Sequence, residues 1–523
     1  MKSGNKTPVL FLLALMLWSC QEKNPNPNSQ LSIDDYASLD TSVLSLNSHR
    51  VWEEIDSLSK TDEDSMFADV ATRNIYNNKK SFLWVDRKGV NSRADSILNY
   101  LQCINSLGFS KQKFCLHQIE NDLRRIRSLE FGDGDNRINK VIARLEYNLT
   151  KAYLRYAIGQ QFGFMNPSKV FNKLDVQDLD TSKVSYHKIF DIKIKHENRR
   201  FVEYALHKVH VDSVAEFLRE TEPKSPFYYA LRRQLNSTNV DLLGKARIQV
   251  NMERCRWRMP DYPQAHSKYV LVNIPSFHLY AQDGDNELIM RVAFGSFESK
   301  TPLMISEIKK MEINPQWVMP RSIIKKSIIP HVGNVTYFDQ RNYFIRNRYT
   351  GEIVETRQVT RQMLESGDYF VIQRGGEGNA MGRIVFRFDN DLAIYLHDTS
   401  SRDVFEKSDR DVSHGCVRVE RPFDLAVFLL EEKESSLIDK ISYSMTADVT
   451  PLGIEEKKLT DKMRAVADTL NKKMLIGSVN VTPHIPIFII YYTLYPSRDG
   501  KIRSYPDVYG YDALIYKKLK NYI

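Results

Sequence analysis

The chain has 523 residues, of which 42% are hydrophobic, 27% charged and 11% aromatic. That makeup excludes a disordered chain and a peptide-sized scaffold, and leaves room for two to four domains at roughly 100–200 residues each. The formal charge of +9 comes from basic residues spread along the chain; it suits an anionic polymer or a membrane surface and makes no case for nucleic acid.

Near the start, Lys2 and Lys6 precede an apolar run from Val9 to Trp18. The run is too short to span a bilayer as a mature helix, which takes about 20 residues, and reads as a secretory signal. Its end, Leu17-Trp18-Ser19-Cys20, resembles a bacterial lipoprotein signal, in which Cys20 would carry lipid. The implied location is the cell envelope, periplasm-facing and lipid-anchored to a membrane; an ordinary cleaved signal is the alternative. Residues 21–46, with Asn24-Pro25-Asn26-Pro27, have neither helical nor strand period and are expected to be a tether.

From 47 to 250 the pattern is helical. Ile97, Leu98, Leu101 and Ile104 share a face that Gly108 ends; Cys115, Leu116, Ile119, Leu123 and Ile126 repeat the spacing, as do Ile138, Val141, Ile142, Leu145 and Leu149. Such stripes need one another, which predicts a helical scaffold domain without a catalytic cluster. Export implies an oxidising compartment, so Cys103 and Cys115 are either a staple between neighbouring helices or two reduced thiols. Cys255, in a strand-like run, is expected to be core.

After 251 the period shortens. Tyr269–Ile274 and Leu288–Phe294 flank Asp283-Gly284-Asp285, and Ile384–Phe388 and Leu392–Leu396 flank Asp389-Asn390; both read as hairpins. Residues 321–374 interrupt the strands for too long to be a connection and predict an inserted capping lobe or lid. The fold class is therefore α+β: an all-helical N-terminal domain followed by a β-rich domain over 251–523.

The chemistry concentrates in Tyr395-Leu396-His397-Asp398-Thr399 and Ser413-His414-Gly415-Cys416-Val417-Arg418, joined by a loop with Arg402 and Arg410. A thiol attacks as thiolate, and an imidazole or cation favours that form. His397 at a strand end can face Cys416, with the carbonyl or side chain of Asp398 or a nearby backbone group fixing the ring tautomer. Gly415 allows close backbone approach, so the Gly415 and Cys416 amides can meet an oxyanion, and the planar fork of Arg418 suits a substrate carboxylate. A zinc site built from His397, His414 and Cys416 is the chemical rival, although the preferred reading needs neither metal nor cofactor.

The Ser-His-Gly-Cys-Val-Arg run with its upstream histidine resembles the signature of YkuD-type L,D-transpeptidases, and the long form is similar to the YcbB-like subfamily. Further matches are Asn251-Met252-Glu253-Arg254 with Arg256-Trp257, Val272–Pro275, Asn314–Trp317 with Pro320, Gly378–Arg383, Ile485-Pro486 and Asp507–Gly510. The resemblance covers roughly 251–523. It implies Cys416 as nucleophile and His397 as base, with Ser413, His414, Gly415 and Tyr395 shaping the oxyanion site and pocket. Arg418, Asn379, Gly382 and Asp398 would border or bind the donor stem.

It also implies the reaction: attack on the third residue of a peptidoglycan tetrapeptide stem, then 3→3 cross-linking to a second stem. One departure stands out. Larger relatives carry a helical peptidoglycan-binding module before the Asn-Met-Glu-Arg motif, and residues 235–251 leave no room for it. Two further readings stay open: the same acyl-enzyme serving as a carboxypeptidase, exchange or protein–wall attachment or release enzyme, and a wall-binding lipoprotein with a degenerate site.

Overall fold

The computed structural model describes residues 32, 33, 35 and 45–523 apart from 79, 80, 87, 179–184, 455, 457, 458 and 498. The Val9–Trp18 run, Cys20 and nearly all of the tether lie outside the described residues. Among the described residues no helix is long and apolar enough to cross a membrane. Two compact units divide the chain: one contains residues up to 160 with 197–222 and 521–523, the other 161–196 with 223–520. Residues 161–196 and 223–250, expected in the helical scaffold, thus pack with the β-rich unit.

The first unit is helical for the reason its pattern gives. Helices Arg93–Gln102, Leu116–Ser128 and Ile138–Phe162 carry the three apolar stripes, and Ile97, Leu101, Ile119, Leu123, Val141, Leu145 and Leu149 are all buried. Gly108, at φ +86°, closes the short turn after the first of them. Along the long helix the buried Glu146 carboxylate accepts from the Trp84 amide at 3.0 Å and the Tyr76 hydroxyl at 3.0 Å, and burial pushes its pKa up to about 7. Tyr522, near the chain's end, packs against Phe109 and Phe114 in this unit. Cys103 and Cys115 are free thiols, so the staple does not form.

In the second unit eight strands close on themselves: β1 (Lys268–Asn273), β2 (His278–Asp283), β3 (Asn286–Gly295), β4 (Leu303–Ile313), β5 (Ile384–Phe388), β6 (Leu396–His397), β7 (Val417–Val419) and β8 (Ser478–Ile490). Their order is β5-β6-β7-β3-β2-β1-β8-β4, and β4 pairs back onto β5. Two neighbouring pairs are parallel, β6 with β7 and β8 with β1. The Asp283-Gly284-Asp285 turn is present, but it joins β2 to β3 with Asp283 opposite Asn286; β2, half-buried and rich in polar residues, falls between the two apolar runs read from sequence. After β5 the expected second strand shrinks to two residues. The Asn390 side chain spends its amide on the Ile394 carbonyl (2.8 Å) and its oxygen on the Ile394 amide (3.0 Å), which turns 391–395 into a loop.

Cys255 lies on a helix, Leu242–Arg256, rather than a strand. That helix is buried along nearly all of its second half, so no apolar stripe marks it in the sequence. Within and just before the segment expected to be a lobe, Trp317–Val318, Tyr369–Gln373, Tyr343–Asn347 and Ile353–Val354 form a separate sheet. It has its own core of Met319, Ile324, Ile328, Phe338, Ile345, Leu364 and Val371.

Candidate active site

The site grows out of strand register. β6 and β7 run parallel with Leu396 opposite Val417 and His397 opposite Arg418, while β5 sets Val385 opposite His397. Because strand side chains alternate, Phe386, Leu396 and Val417 point to one face, where all are fully buried. Val385, His397 and Arg418 point to the other. Register therefore brings His397 and Arg418 together, while Tyr395 and Cys416 are the residues that lead into the two strands, tied where the Val417 amide donates to the Tyr395 carbonyl at 3.0 Å.

His397 is buried, and its Nδ1 donates to the Asp398 carbonyl oxygen. Of the three orienters open from sequence the fold uses the carbonyl, and the hydrogen bond leaves Nε2 as the basic nitrogen. Burial pushes His397 down to about 4, helped by the Arg418 cation and opposed by the backbone of Asp398 and Met381. The Cys416 thiol is pushed up by burial and pulled back by the Tyr395 backbone, Arg387 and Arg418. Burial thus favours the neutral form of both groups, against the ionised sulfur expected from the sequence. Cys416 is half-buried rather than sealed, and its sulfur lies 3.6 Å from the Ala393 carbonyl.

The loop before Cys416 is held from within. The Ser413 hydroxyl donates to the Cys416 carbonyl at 2.6 Å and accepts from the Gly415 amide at 3.1 Å. This corrects the oxyanion expectation: the Gly415 amide is spent on Ser413, and among the described residues the Cys416 amide is the one of the two that meets no acceptor. Gly415 sits at φ +121°, a conformation that L side chains rarely adopt. His414 is exposed, its pKa lowered by partial burial, Lys326 and Arg418. Among the described residues no group of three or more His, Cys, Asp or Glu side chains is arranged to hold a metal, so His397, His414 and Cys416 make no zinc site.

Arg418 was expected to bind an anion. Its Nε is buried and meets no hydrogen-bond partner, and burial lowers its pKa. Such a cation is stabilised by an incoming carboxylate. The residues expected to bind the donor stem behave differently. The Asp398 carboxylate is used by the Arg383 amide at 2.8 Å and by Arg402 at 2.9 Å. Asn379 is 1% exposed; its amide donates to the Arg374 carbonyl at 2.8 Å and its oxygen accepts from the Met381 amide at 2.7 Å. Gly382, at φ +64°, has the Asp398 carboxyl 2.5 Å from where a Cβ would sit. These three shape the loop that carries the His397 support and offer no free group to a ligand. Arg410 is likewise spent, on the Val292 and Phe277 carbonyls at 3.0 and 3.1 Å.

Sequence reasoning missed a brace beneath the nucleophile loop. The Thr301 hydroxyl donates to the Gly415 carbonyl at 2.7 Å and accepts from the Gly295 amide at 2.8 Å. The Thr301 amide donates to the Tyr509 hydroxyl at 3.1 Å, and the Tyr509 amide donates to the Tyr491 hydroxyl, which donates to Asp507 at 2.6 Å. Asp507 also accepts from the Asp512 amide, and Asp512 pairs with Arg254 at 2.7 Å. The motifs Asn251–Arg254 and Asp507–Gly510, remote from Cys416 in sequence, thereby connect to its loop; Thr301 alone carries no motif.

Residues 267–438 match the family described as an L,D-transpeptidase catalytic domain, YkuD, and residues 70–235 match the family described as a scaffold domain. A Haemophilus influenzae protein whose name describes it as a candidate L,D-transpeptidase is 28% identical over 299 residues, which is 57% of this chain and 53% of that protein. The chain thus spans about half the length of this relative.

Proposed function

We propose that the protein forms 3→3 cross-links between peptidoglycan stem peptides through a Cys416 acyl-enzyme. The observation that carries the reading is an imidazole, tied at Nδ1 to the Asp398 carbonyl and paired across the sheet with Arg418, whose Nε meets no partner, with the half-buried Cys416 two residues before that arginine. As the sulfur attacks the carbonyl carbon of the stem's third residue, its proton passes to His397 Nε2. The Cys416 amide meets the oxyanion and Arg418 holds a stem carboxylate. His397 returns the proton to the departing D-alanine amine, leaving a thioester. The side-chain amine of a second stem then displaces Cys416, giving its proton to His397 and from there to sulfur.

A neutral resting pair favours this over a standing ion pair, because a base free at neutral pH serves both half-reactions. The same thioester resolved by water would make a carboxypeptidase. Intact mass measurement of the soluble protein with a tetrapeptide muropeptide tests the reading. It expects an adduct on Cys416, none in Cys416→Ala, and joined stems among the products. Shortened stems without dimers would replace cross-linking by hydrolysis, and no adduct would end the reading. The Leu17–Cys20 run supports an envelope location with Cys20 lipidated, which loss of labelled fatty acid in Cys20→Ser would verify.

A further inference from the structure

Beside the nucleophile stands a cation that neither the sequence reading nor the reaction uses. Arg387, on β5, follows Phe386, which pairs with Leu396, and Tyr395 is the loop residue just before Leu396. Its Nε and terminal nitrogen both reach one Glu312 oxygen, at 2.8 and 2.7 Å. Its guanidinium lies 4.2 Å from the centroid of the Tyr395 ring, within cation–π range. Glu312, on β4, sits across from Val385. Sheet pairing thus fixes Arg387 and Glu312, and the Val417 amide on the Tyr395 carbonyl at 3.0 Å ties down the third member of the stack.

From this geometry we infer that Arg387 is a positioning residue for the nucleophile: anchored by Glu312, it holds the Tyr395 ring, which stands between it and Cys416, and places a cation on the thiol's side of the sheet. The inference deepens the acyl-enzyme reading and rests on it. A flat guanidinium suits the task better than an ammonium, because it can stack on the ring while its edge meets the carboxylate. The other charge acting on the thiol is Arg418 from β7, which also acts on His397 from β6 and, with Lys326 of the lobe, on His414. Asp403 stands near Arg418. Of the two cations felt by the sulfur, Arg418 meets no partner at Nε whereas Arg387 is held by Glu312, so Arg387 is the one whose place is fixed before substrate arrives.

The test is the pH profile of Cys416 alkylation by iodoacetamide, read on the Cys416 peptide by mass so that Cys103, Cys115 and Cys255 do not interfere. Arg387→Met is expected to raise the midpoint and slow alkylation at pH 7 about three- to tenfold, with the high-pH plateau unchanged. Arg387→Lys, which keeps the charge, is expected to retain the midpoint but slow acylation by the tetrapeptide stem, because Tyr395 loses its plate. Glu312→Gln frees the charge from its counter-ion, so its midpoint falls or stays. An unshifted Arg387→Met, an Arg387→Lys shifted as far as Arg387→Met, or a raised midpoint in Glu312→Gln would each overturn the inference. Alkylation needs no substrate, so these outcomes are separate from a wild-type protein that takes no stem adduct.

Discussion

A buried histidine that must stay neutral ties catalysis to stability at the level of one residue. The unfolded chain protonates His397 near 6.5, whereas the folded chain does so only at about 4. As pH falls between those values the unfolded state binds the extra proton, so stability present above 6.5 is progressively lost and the loss is complete once pH passes below about 4. The shift corresponds to about 3 kcal/mol at most. Urea unfolding at pH 7 and pH 4.5 should show wild type losing more stability than His397→Asn, by an amount of that order. Equal losses would mean the imidazole is not held neutral in the folded state. The residues that the sequence picked out for chemistry divide along the same physical line. Cys416, His397, Tyr395 and Arg418 were legible because a nucleophile, a base and an anion-binding fork are types with few other reasons to cluster. Asn379, Gly382 and Asp398 were placed in the same neighbourhood, but spacing along a chain cannot reveal that their side chains or backbone are engaged within the loop, as the Asn379 amide is on the Arg374 carbonyl and the Asp398 carboxylate on the Arg383 amide.

At the scale of elements, the closed sheet aims the nucleophile and the segment between β3 and β4 braces it. Thr301 is the joint, because a single hydroxyl serves the Gly295 amide and the Gly415 carbonyl at once. Thr301→Val keeps the shape and removes both bonds, leaving a buried donor and acceptor unpaired. It is expected to cost about 1–3 kcal/mol and to slow Cys416 acylation roughly tenfold if that loss falls wholly on the positioned loop. Thr301→Ser should recover most of both, measured by thermal unfolding and by the rate of adduct formation. A Val variant that acylates at the wild-type rate would reduce the brace to packing. The helical stripes were readable because one buried face per helix imposes its period on the sequence. The helix of residues 242–256 hid Cys255, since burial on many sides erases that period, and β2 hid because its exposed alternate residues are polar. Pairing across the sheet, which turns a strand end into half a catalytic pair, is a long-range fact with no local signature.

Across the molecule, the capping lobe is the part whose contribution can be separated from the chemistry. It enters and leaves through adjacent antiparallel strands, with Val318 opposite Ile372 and the Met319 amide on the Val371 carbonyl at 2.9 Å. Its ends therefore lie close enough for a short turn to bridge them. Its apolar core is its own, so excision removes a packed body without opening the closed sheet beneath, provided Trp317, Met319 and Val371 are made polar. The lobe also carries nine of the chain's Lys and Arg residues against five Asp and Glu over 321–374, a bias that favours anionic wall material over a small neutral donor. A variant with 321–366 replaced by a two-residue turn should still take a stem adduct on Cys416, because His397, Ser413 and Thr301 keep every bond described above. Its cross-linked product should fall tenfold or more, and its retention on purified cell wall should weaken and lose its dependence on salt. Mass analysis of adduct and products in one incubation separates these effects. Loss of the adduct itself would make the lobe part of the nucleophile's support, and unchanged cross-linking with unchanged wall retention would remove it from substrate handling altogether.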